Sequence, residues 1–279
     1  MLYGLKQSGH CWYQQLVEIL VNELGFTQCS VDQAVYFRCR KPSELVIVVV
    51  HIDNCTIAAT SLNEIDEFKH DIKKHVEITN LSELHWLLGI EMTWNRDKRT
   101  ISLCQRPYLE LIVHRFSFNE LKPVSNLMEP STKLHSGQSP STGAEYAAMR
   151  HVPYREAIGS LMYASLATHS DISYAVATIS CFSNNPGMPH WDTVRRIYHY
   201  LLGTKDLRLT YGGTPSVLVG YADADGSMAE DHRAILGYAF LIDGSAVSWS
   251  SKKQEIVSLS TMESEYVAAT HTAKEALWL

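Results

Sequence analysis

The sequence lacks any apolar run near the ~18 residues of a membrane span, and Met1-Leu2-Tyr3 is not followed by a signal-peptide core. The expectation is a soluble, intracellular chain with no membrane partner, in cytoplasm or nucleus. Paired cysteines are lacking too. Cys11, Cys29, Cys39, Cys55, Cys104 and Cys181 are scattered without a C-x-x-C pair, which argues against a disulfide framework and for reduced thiols. Positive charge is in short supply: 24 Lys and Arg against 30 Asp and Glu give a net charge of −6. That excludes a broadly basic nucleic-acid binder but leaves room for a local basic groove. There is no P-loop. Tyr3-Gly4-Leu5-Lys6-Gln7-Ser8-Gly9 can bring backbone and the Lys6 ammonium to a phosphate, without P-loop spacing. Nor does a capping residue follow Ala276-Leu277-Trp278-Leu279, and the chain opens inside a glycine turn, so both ends read as cut from something longer.

What is present is ordinary globular material. With 279 residues, 46% of them hydrophobic and 19% charged, about two domains are expected. The central stretch is Leu45-Val46-Ile47-Val48-Val49-Val50-His51-Ile52-Asp53-Asn54-Cys55-Thr56-Ile57-Ala58. An unbroken β-branched run, interrupted by an acidic-amide pair, predicts two buried strands joined by a two-residue Asp53-Asn54 turn. Asp and Asn suit such a turn on backbone grounds alone. An aspartate there is also held rigidly with free oxygens, as a Mg²⁺ ligand in phosphoryl transfer must be.

Around that hairpin, Trp12, Leu16, Ile19, Leu20 and Leu24 predict one amphipathic helix stopped by Gly25. Val35–Phe37 predicts a strand, and Ser61-Leu62-Asn63-Glu64 caps a helix burying Leu62, Ile65, Phe68 and Ile72. Trp86–Met92 against Thr100–Leu103 reads as a hairpin turning at Asn95-Arg96-Asp97-Lys98, and Pro107 opens a helix. Residues 122–142 turn rich in Pro, Ser, Thr and Gly, as a linker does. Helices are then expected over Arg155–Ala167, Asp171–Phe182 and His190–Leu202, the last stopped by Gly203. Arg195-Arg196 reads as a solvated face. Strands at Leu207–Tyr211, Val217–Ala222, Gly237–Leu241 and Ala246–Ser250 and a helix from Ser260 complete an α+β pattern.

A second acidic cluster, Tyr221-Ala222-Asp223-Ala224-Asp225, ends one of those strands. Strand-end carboxylates beside a sheet are a recurrent metal site. Their partners would come from Ser260-Thr261-Met262-Glu263-Ser264-Glu265. Glu263 matches the S-x-x-E capping box, whereas Glu265, roughly 200° round the helix, has no structural duty and is the better ligand. An acidic first turn complementing the helix dipole is the simpler account of both. Asp223 ranks above Asp225 because Gly226 suggests that the chain already turns there. Lys252-Lys253-Gln254 offers positive charge to a phosphate backbone.

Taken in order, these clusters resemble the Pol polyprotein of Ty1/copia-type retrotransposons. Leu2-Tyr3-Gly4-Leu5-Lys6-Gln7 with Trp12-Tyr13 is similar to the family's LYGLKQ-x-P-x-x-WY segment, and His51-Ile52-Asp53-Asn54 sits at the Y-V-D-D motif. Leu88-Gly89-Ile90-Glu91 resembles the primer-grip hairpin, and Pro153–Tyr163 the segment between polymerase and nuclease. Gly220–Asp225, Ser248–Gln254 and Glu263-Ser264-Glu265-Tyr266 are similar to the nuclease.

The resemblance implies a partial reverse-transcriptase palm and thumb (1–121), a linker and helical connection (122–205) and a truncated ribonuclease-H-like domain (206–279). It implies catalytic positions at Asp53, Asn54, Asp223 and Glu265, with Asp53, Asp223, Asp225 and Glu265 as ligands of Mg²⁺ or Mn²⁺. Nucleic-acid contacts fall to Lys6, Gln7, Gly89, Lys252 and Lys253. A primer-template or RNA–DNA hybrid and the remainder of a Pol polyprotein are the implied partners.

The departures are Asn54 for the family's second aspartate, His51 for its aromatic, Gly9 for Pro, Gly226 for Trp, and His232–Tyr238 for R-R-S-T-S-G-Y. A third carboxylate of each site belongs outside this sequence. Metal binding is therefore expected to be weak and the chain inactive alone. Two functions follow: a fragment of an RNA-directed DNA polymerase with ribonuclease H, both by two-metal catalysis, or a non-catalytic remnant serving as a nucleic-acid-binding or interaction module. An interaction protein with no nucleic-acid role has only the net charge behind it.

Overall fold

The computed structural model describes residues 4–42, 44–120, 122–128, 133–213, 217–225 and 233–279. Met1, Leu2, Tyr3, Gly226 and His232, used above, lie outside the described residues. The chain is α+β, with every strand pairing antiparallel. Contacts divide it into two compact units, Met1–Leu84 and His85–Leu279. The boundaries expected after residues 121 and 205 both fall inside the second.

In the first unit Ser8–Val17 forms α1, and Glu18–Glu23 continues it as a π-helix. The expected single helix thus widens by one residue per turn near its end. Leu24 donates to the Ile19 carbonyl, and Gly25, at φ +70, stops the chain in the left-handed region. Strands β1 (Thr27–Gln28), β2 (Val35–Cys39), β3 (Leu45–His51) and β4 (Asn54–Ala59) pair in chain order. Tyr36, Val46 and Val48 on one face meet Leu16, Leu20, Phe26, Phe68 and Ile72 in the core. The β-branched run predicted strands buried throughout, yet Val49 is 40% exposed. The core covers the face that alternates with it.

Helix α2 (Leu62–Ile72) starts as expected, with the Ser61 hydroxyl accepting from the Glu64 amide. Its buried face is set differently. Leu62 is 78% exposed, while Glu64, Phe68 and Ile72, four apart, point inward. Leu62 is the first helical residue, before the turn that meets the sheet.

In the second unit the expected Trp86–Met92 strand is two, because Leu88 and Gly89, both at positive φ, turn the chain back. β5 (Trp86–Leu87), β6 (Ile90–Asn95) and β7 (Thr100–Cys104) form a meander. Its fourth strand is β8 (Leu209–Gly212), paired along β7 from Leu103↔Leu209 to Thr100↔Gly212. The strand expected at Leu207–Tyr211 therefore belongs to this sheet and not to the C-terminal one.

Between them lies a helical core. Helix α3 (Arg106–Arg115), α4 (Gly143–Met149, absent from the sequence reading), α5 (Tyr154–Ala167), α6 (Ser173–Ser180) and α7 (Met188–Thr204) follow in order. Leu109, Ile112, Leu161, Ile179, Ile197 and Leu201 are buried together, each contributing about 1.5–3 kcal/mol of transfer free energy. The expected Asp171–Phe182 helix is a 3₁₀ turn, Ser170–Ile172, followed by α6. Gly203 does not stop α7, which runs one residue past it. A Cβ there would lie 3.3 Å from the Pro123 side chain, so close packing is what the glycine serves.

The last sheet has order β11-β10-β9, built from β9 (Leu218–Asp225), β10 (Ile235–Ile242) and β11 (Ser245–Lys253). Helix α8 (Thr261–Trp278) follows. No helix among the described residues is long and apolar enough to cross a membrane.

Candidate functional site

The β3–β4 turn is one residue earlier than expected. His51 pairs with Asn54, so the two loop residues are Ile52 and Asp53, and Asn54 opens β4. Ile52 carries φ +61 and Asp53 does not share it. Positive φ at the first loop residue alone is the II′ pattern, where glycine is usual. Ile52 is 70% exposed, so burial does not hold it there. The Trp12 indole N–H, reaching from α1, donates to the Ile52 carbonyl at 3.0 Å. Next to Trp12, the Tyr13 hydroxyl accepts from the Gln28 amide, which also reaches the Tyr36 hydroxyl. Burial, then Tyr13, pushes the Tyr36 phenol up to about 12. The adjacent Trp12-Tyr13 pair, which the sequence offers as part of the WY segment and, for Trp12, as a helix face, thus braces the hairpin.

At the tip the Asp53 carboxylate is exposed. One of its oxygens accepts from the Asn54 side-chain amide at 3.2 Å. The Cys55 thiol is pushed up by burial and then by Asp53, so it is not activated as a nucleophile. Lys6 and Gln7 are exposed in the turn leading into α1, and Gln7 makes no side-chain cap. A Mg²⁺ ion commonly takes one or two carboxylates and leaves its other positions to water and substrate phosphates. Asp53 fits such a role as a single anchor. Asn54 brings an amide without charge.

The second acidic set is arranged differently. β9 stays paired through Asp225, which opposes Ile235, while Asp223 opposes Gly237. The turn expected at Asp225 does not occur there, and the two aspartates share one face. Leu236, Tyr238 and Phe240 occupy the other face, and α8 lies on it. Gln254, 1% exposed, donates to the Ser264 carbonyl, and the Ser248 hydroxyl, opposite Phe240, bonds Glu275. Glu265, exposed on α8, and the two aspartates therefore stand on opposite sides of β9. Among the described residues no three His, Cys, Asp or Glu side chains gather as a metal-ligand cluster. These residues do not fit one shared ion in this arrangement. Glu263 has the capping duty read from the sequence: its amide donates to the Ser260 hydroxyl and its carboxylate accepts from the Leu259 amide.

Gly89, at φ +74, shares its turn with Leu88, whose carbonyl accepts from the Tyr163 hydroxyl of α5. Tyr163 in turn meets Tyr108 edge-on at 4.8 Å. This clamp escaped sequence reasoning because Tyr163 lies 75 positions from Leu88. Lys252 is exposed and paired with Glu255 at 3.0 Å, which leaves its ammonium partly engaged. Lys253 directly follows it at the end of β11.

The first unit thus presents an exposed carboxylate at the tip of a helix-backed antiparallel hairpin, and the second carries a hairpin turn clamped by Tyr163. The family model described as reverse transcriptase (RNA-dependent DNA polymerase) matches residues 1–130. The chain is 38% identical over its full length to the Retrovirus-related Pol polyprotein from transposon TNT 1-94 of Nicotiana tabacum, of which it spans 21%. It is 33% identical over its full length to that from transposon RE1 of Arabidopsis thaliana, spanning 18%. Against the putative transposon Ty5-1 protein YCL074W of Saccharomyces cerevisiae it is 28% identical, covering 98% of this chain and 87% of that one. No solved structure matches. Residues 1–130 thus carry a reverse transcriptase domain, and over its whole length the chain is similar to Ty1/copia-type retrotransposon Pol polyproteins. It spans about a fifth of the length of the first two of these relatives.

Proposed function

We propose that this chain is the part of a retrotransposon Pol protein that holds a primer-template, or an RNA–DNA hybrid, and offers Asp53 to a Mg²⁺ or Mn²⁺ ion during RNA-directed DNA synthesis. The observation that carries the reading is the exposed Asp53 carboxylate at a hairpin tip fixed by the Trp12 bond to Ile52. A bound metal would neutralise charge on the incoming phosphates. Lys6 and Gln7 would contact the nucleic-acid backbone near the first hairpin, and Gly89, Lys252 and Lys253 would do so in the second unit. Residues 206–279 would form a ribonuclease-H-like segment carrying Asp223, Asp225 and Glu265. Hybrid cleavage there requires a rearrangement that brings Glu265 to the aspartates, and no step is assigned to it. The rest of a Pol polyprotein would supply what this fifth lacks, in an intracellular compartment.

One observation favours the second function, a nucleic-acid-binding or interaction module without catalysis: the Asn54 amide occupies an Asp53 oxygen where a second carboxylate would add charge. Binding of an RNA–DNA hybrid at increasing salt, followed by primer extension with Mg²⁺ or Mn²⁺ after the remainder of a Pol polyprotein is supplied, separates the two. Under the first reading, Asn54→Asp raises extension and Asp53→Asn abolishes it, while hybrid binding persists in both and weakens with salt. Hybrid binding with no extension by either the natural chain or Asn54→Asp would leave only the module. No binding at low salt would remove both.

A further inference from the structure

We propose that the β6–β7 turn and the polar sheet face behind it form a phosphate-backbone track that carries bound nucleic acid onward from the Gly89 turn. This rests on the primer-template reading above and adds contacts to it. Four loop residues, Arg96, Asp97, Lys98 and Arg99, join Asn95 to its partner Thr100, and all four are exposed. Three of them are cationic, in a chain whose net charge is −6. Lys98 and Arg99 make no ion pair among the described residues, whereas Lys41, Lys74, Lys205 and Lys252 each hold a carboxylate at 3.0 Å or less. The turn is also held in place. The Asn95 side-chain oxygen accepts from the Lys98 amide at 3.0 Å, and the Arg99 amide donates to the Arg96 carbonyl. Gly212, the last residue of β8, packs against it at positive φ, where a Cβ would overlap the Arg99 carbonyl oxygen. Arg96 stacks 4.8 Å above the Trp94 ring, which keeps a third cation beside the other two.

The sheet behind the turn fits the same occupant. Register sets Thr93, Ser102 and Thr210 in one row, on the face that also carries Asn95. The Ser102 and Thr210 hydroxyls bond each other at 2.9 Å, and Thr93 and Thr210 are exposed. Beyond that row Arg208 donates to the Thr93 hydroxyl at 3.1 Å and lies 3.9 Å from Glu91. Glu91 and Asp97 are the acids here, against the cations Arg96, Lys98, Arg99 and Arg208. Neutral hydroxyls with cations at both ends suit the phosphate and sugar contacts of a nucleic-acid backbone. Strand β6 runs six residues from the Gly89 turn to this one, a distance of about 20 Å. That is the reach of about six phosphates along one strand of a duplex.

Fluorescence anisotropy of a labelled RNA–DNA hybrid with the full chain, across a salt series, gives the slope of log affinity against log salt. Each phosphate contact contributes about 0.9 to that slope, so Lys98→Gln/Arg99→Gln lowers it by roughly 1.8 and weakens binding by up to about sixty-fold at about 0.1 M salt. Lys98→Arg/Arg99→Lys keeps both at the natural value. Lys73→Gln/Lys274→Gln removes the same charge outside the track and leaves the slope as it is. Thr210→Val removes a neutral contact, so affinity falls by roughly two- to ten-fold at unchanged slope. Circular dichroism confirms that each variant is folded. An unchanged slope in Lys98→Gln/Arg99→Gln with the hybrid still bound, an equal loss in the Lys73 and Lys274 pair, or a slope altered by Thr210→Val would overturn the proposal and leave the primer-template reading standing. A natural chain that binds no hybrid would remove both.

Discussion

Removing the Trp12 donor tests how the candidate site is held. In Trp12→Phe the Ile52 carbonyl loses its indole N–H at 3.0 Å, and a bond of this kind is worth about 0.5–1.5 kcal/mol net. Opposing it is the cost of holding Ile52 at φ +61, about 1–2 kcal/mol for a residue with a Cβ. The two magnitudes are comparable, so the tip is poised and its geometry depends on the bond. Ile52→Gly removes the strain but adds about 0.5–1 kcal/mol of unfolded-state entropy, for a net gain of roughly 0.5–1 kcal/mol. Urea unfolding followed by far-ultraviolet circular dichroism measures both variants. Amide exchange of Ile52, Asp53 and Asn54 then reports the tip itself. The expected result is a loss of about 1 kcal/mol and faster tip exchange in Trp12→Phe, with Ile52→Gly stabilising. Destabilisation by Ile52→Gly, or unchanged tip exchange in Trp12→Phe, would refute the account.

Two further outcomes follow from the second unit. A Cβ on Gly187 would lie 1.9 Å from the Gln138 carbonyl oxygen, a backbone contact that cannot yield cheaply. Gly187→Ala is therefore expected to lower the melting temperature by several degrees, corresponding to about 1–3 kcal/mol of overpacking. Backbone amides of Ser141 and Thr142 hold the Glu145 carboxyl at about 2. Because that value lies below the unfolded one, the contribution is complete above the ordinary carboxylate range and disappears as pH falls through about 2. Amide exchange of Ala144 to Ala147 should quicken over that interval in the natural chain, and show no such step in Glu145→Gln.

Much of the fold is legible where local chemistry is decisive. Ser61 and Ser260 each stand before a helix with Glu three residues on, and both accept the expected amide. Gly25 stops its helix because the backbone there takes positive φ, which glycine adopts without strain. Long-range choices were not legible. Nothing around Leu209–Gly212 tells that strand to join β7 across more than a hundred residues. Gly203 looks like a stop until Pro123 is seen beside it. The site divides in the same way. Asp53 stands out as a candidate from its place between two apolar runs, but the turn lies one residue earlier than expected, because Asp-Asn is better turn chemistry than the Ile-Asp that is used. The separation of Glu265 from Asp223 depends on strand register and on which sheet face α8 covers, and the residue sequence of β9 specifies neither.

The pairing of β7 with β8 has a consequence for how the chain is made. Thr100 meets Gly212, 112 positions later, so the β5–β7 meander leaves the ribosome with one edge open. It stays open while the whole helical core is synthesised. Such non-local closure is slow, and an open strand edge in the interval invites pairing with the wrong chain. Cutting the protein after residue 205 would make that interval permanent, since β8 would leave with the C-terminal piece. The helical core and the last sheet are thus stitched together by a strand that belongs, in space, to neither.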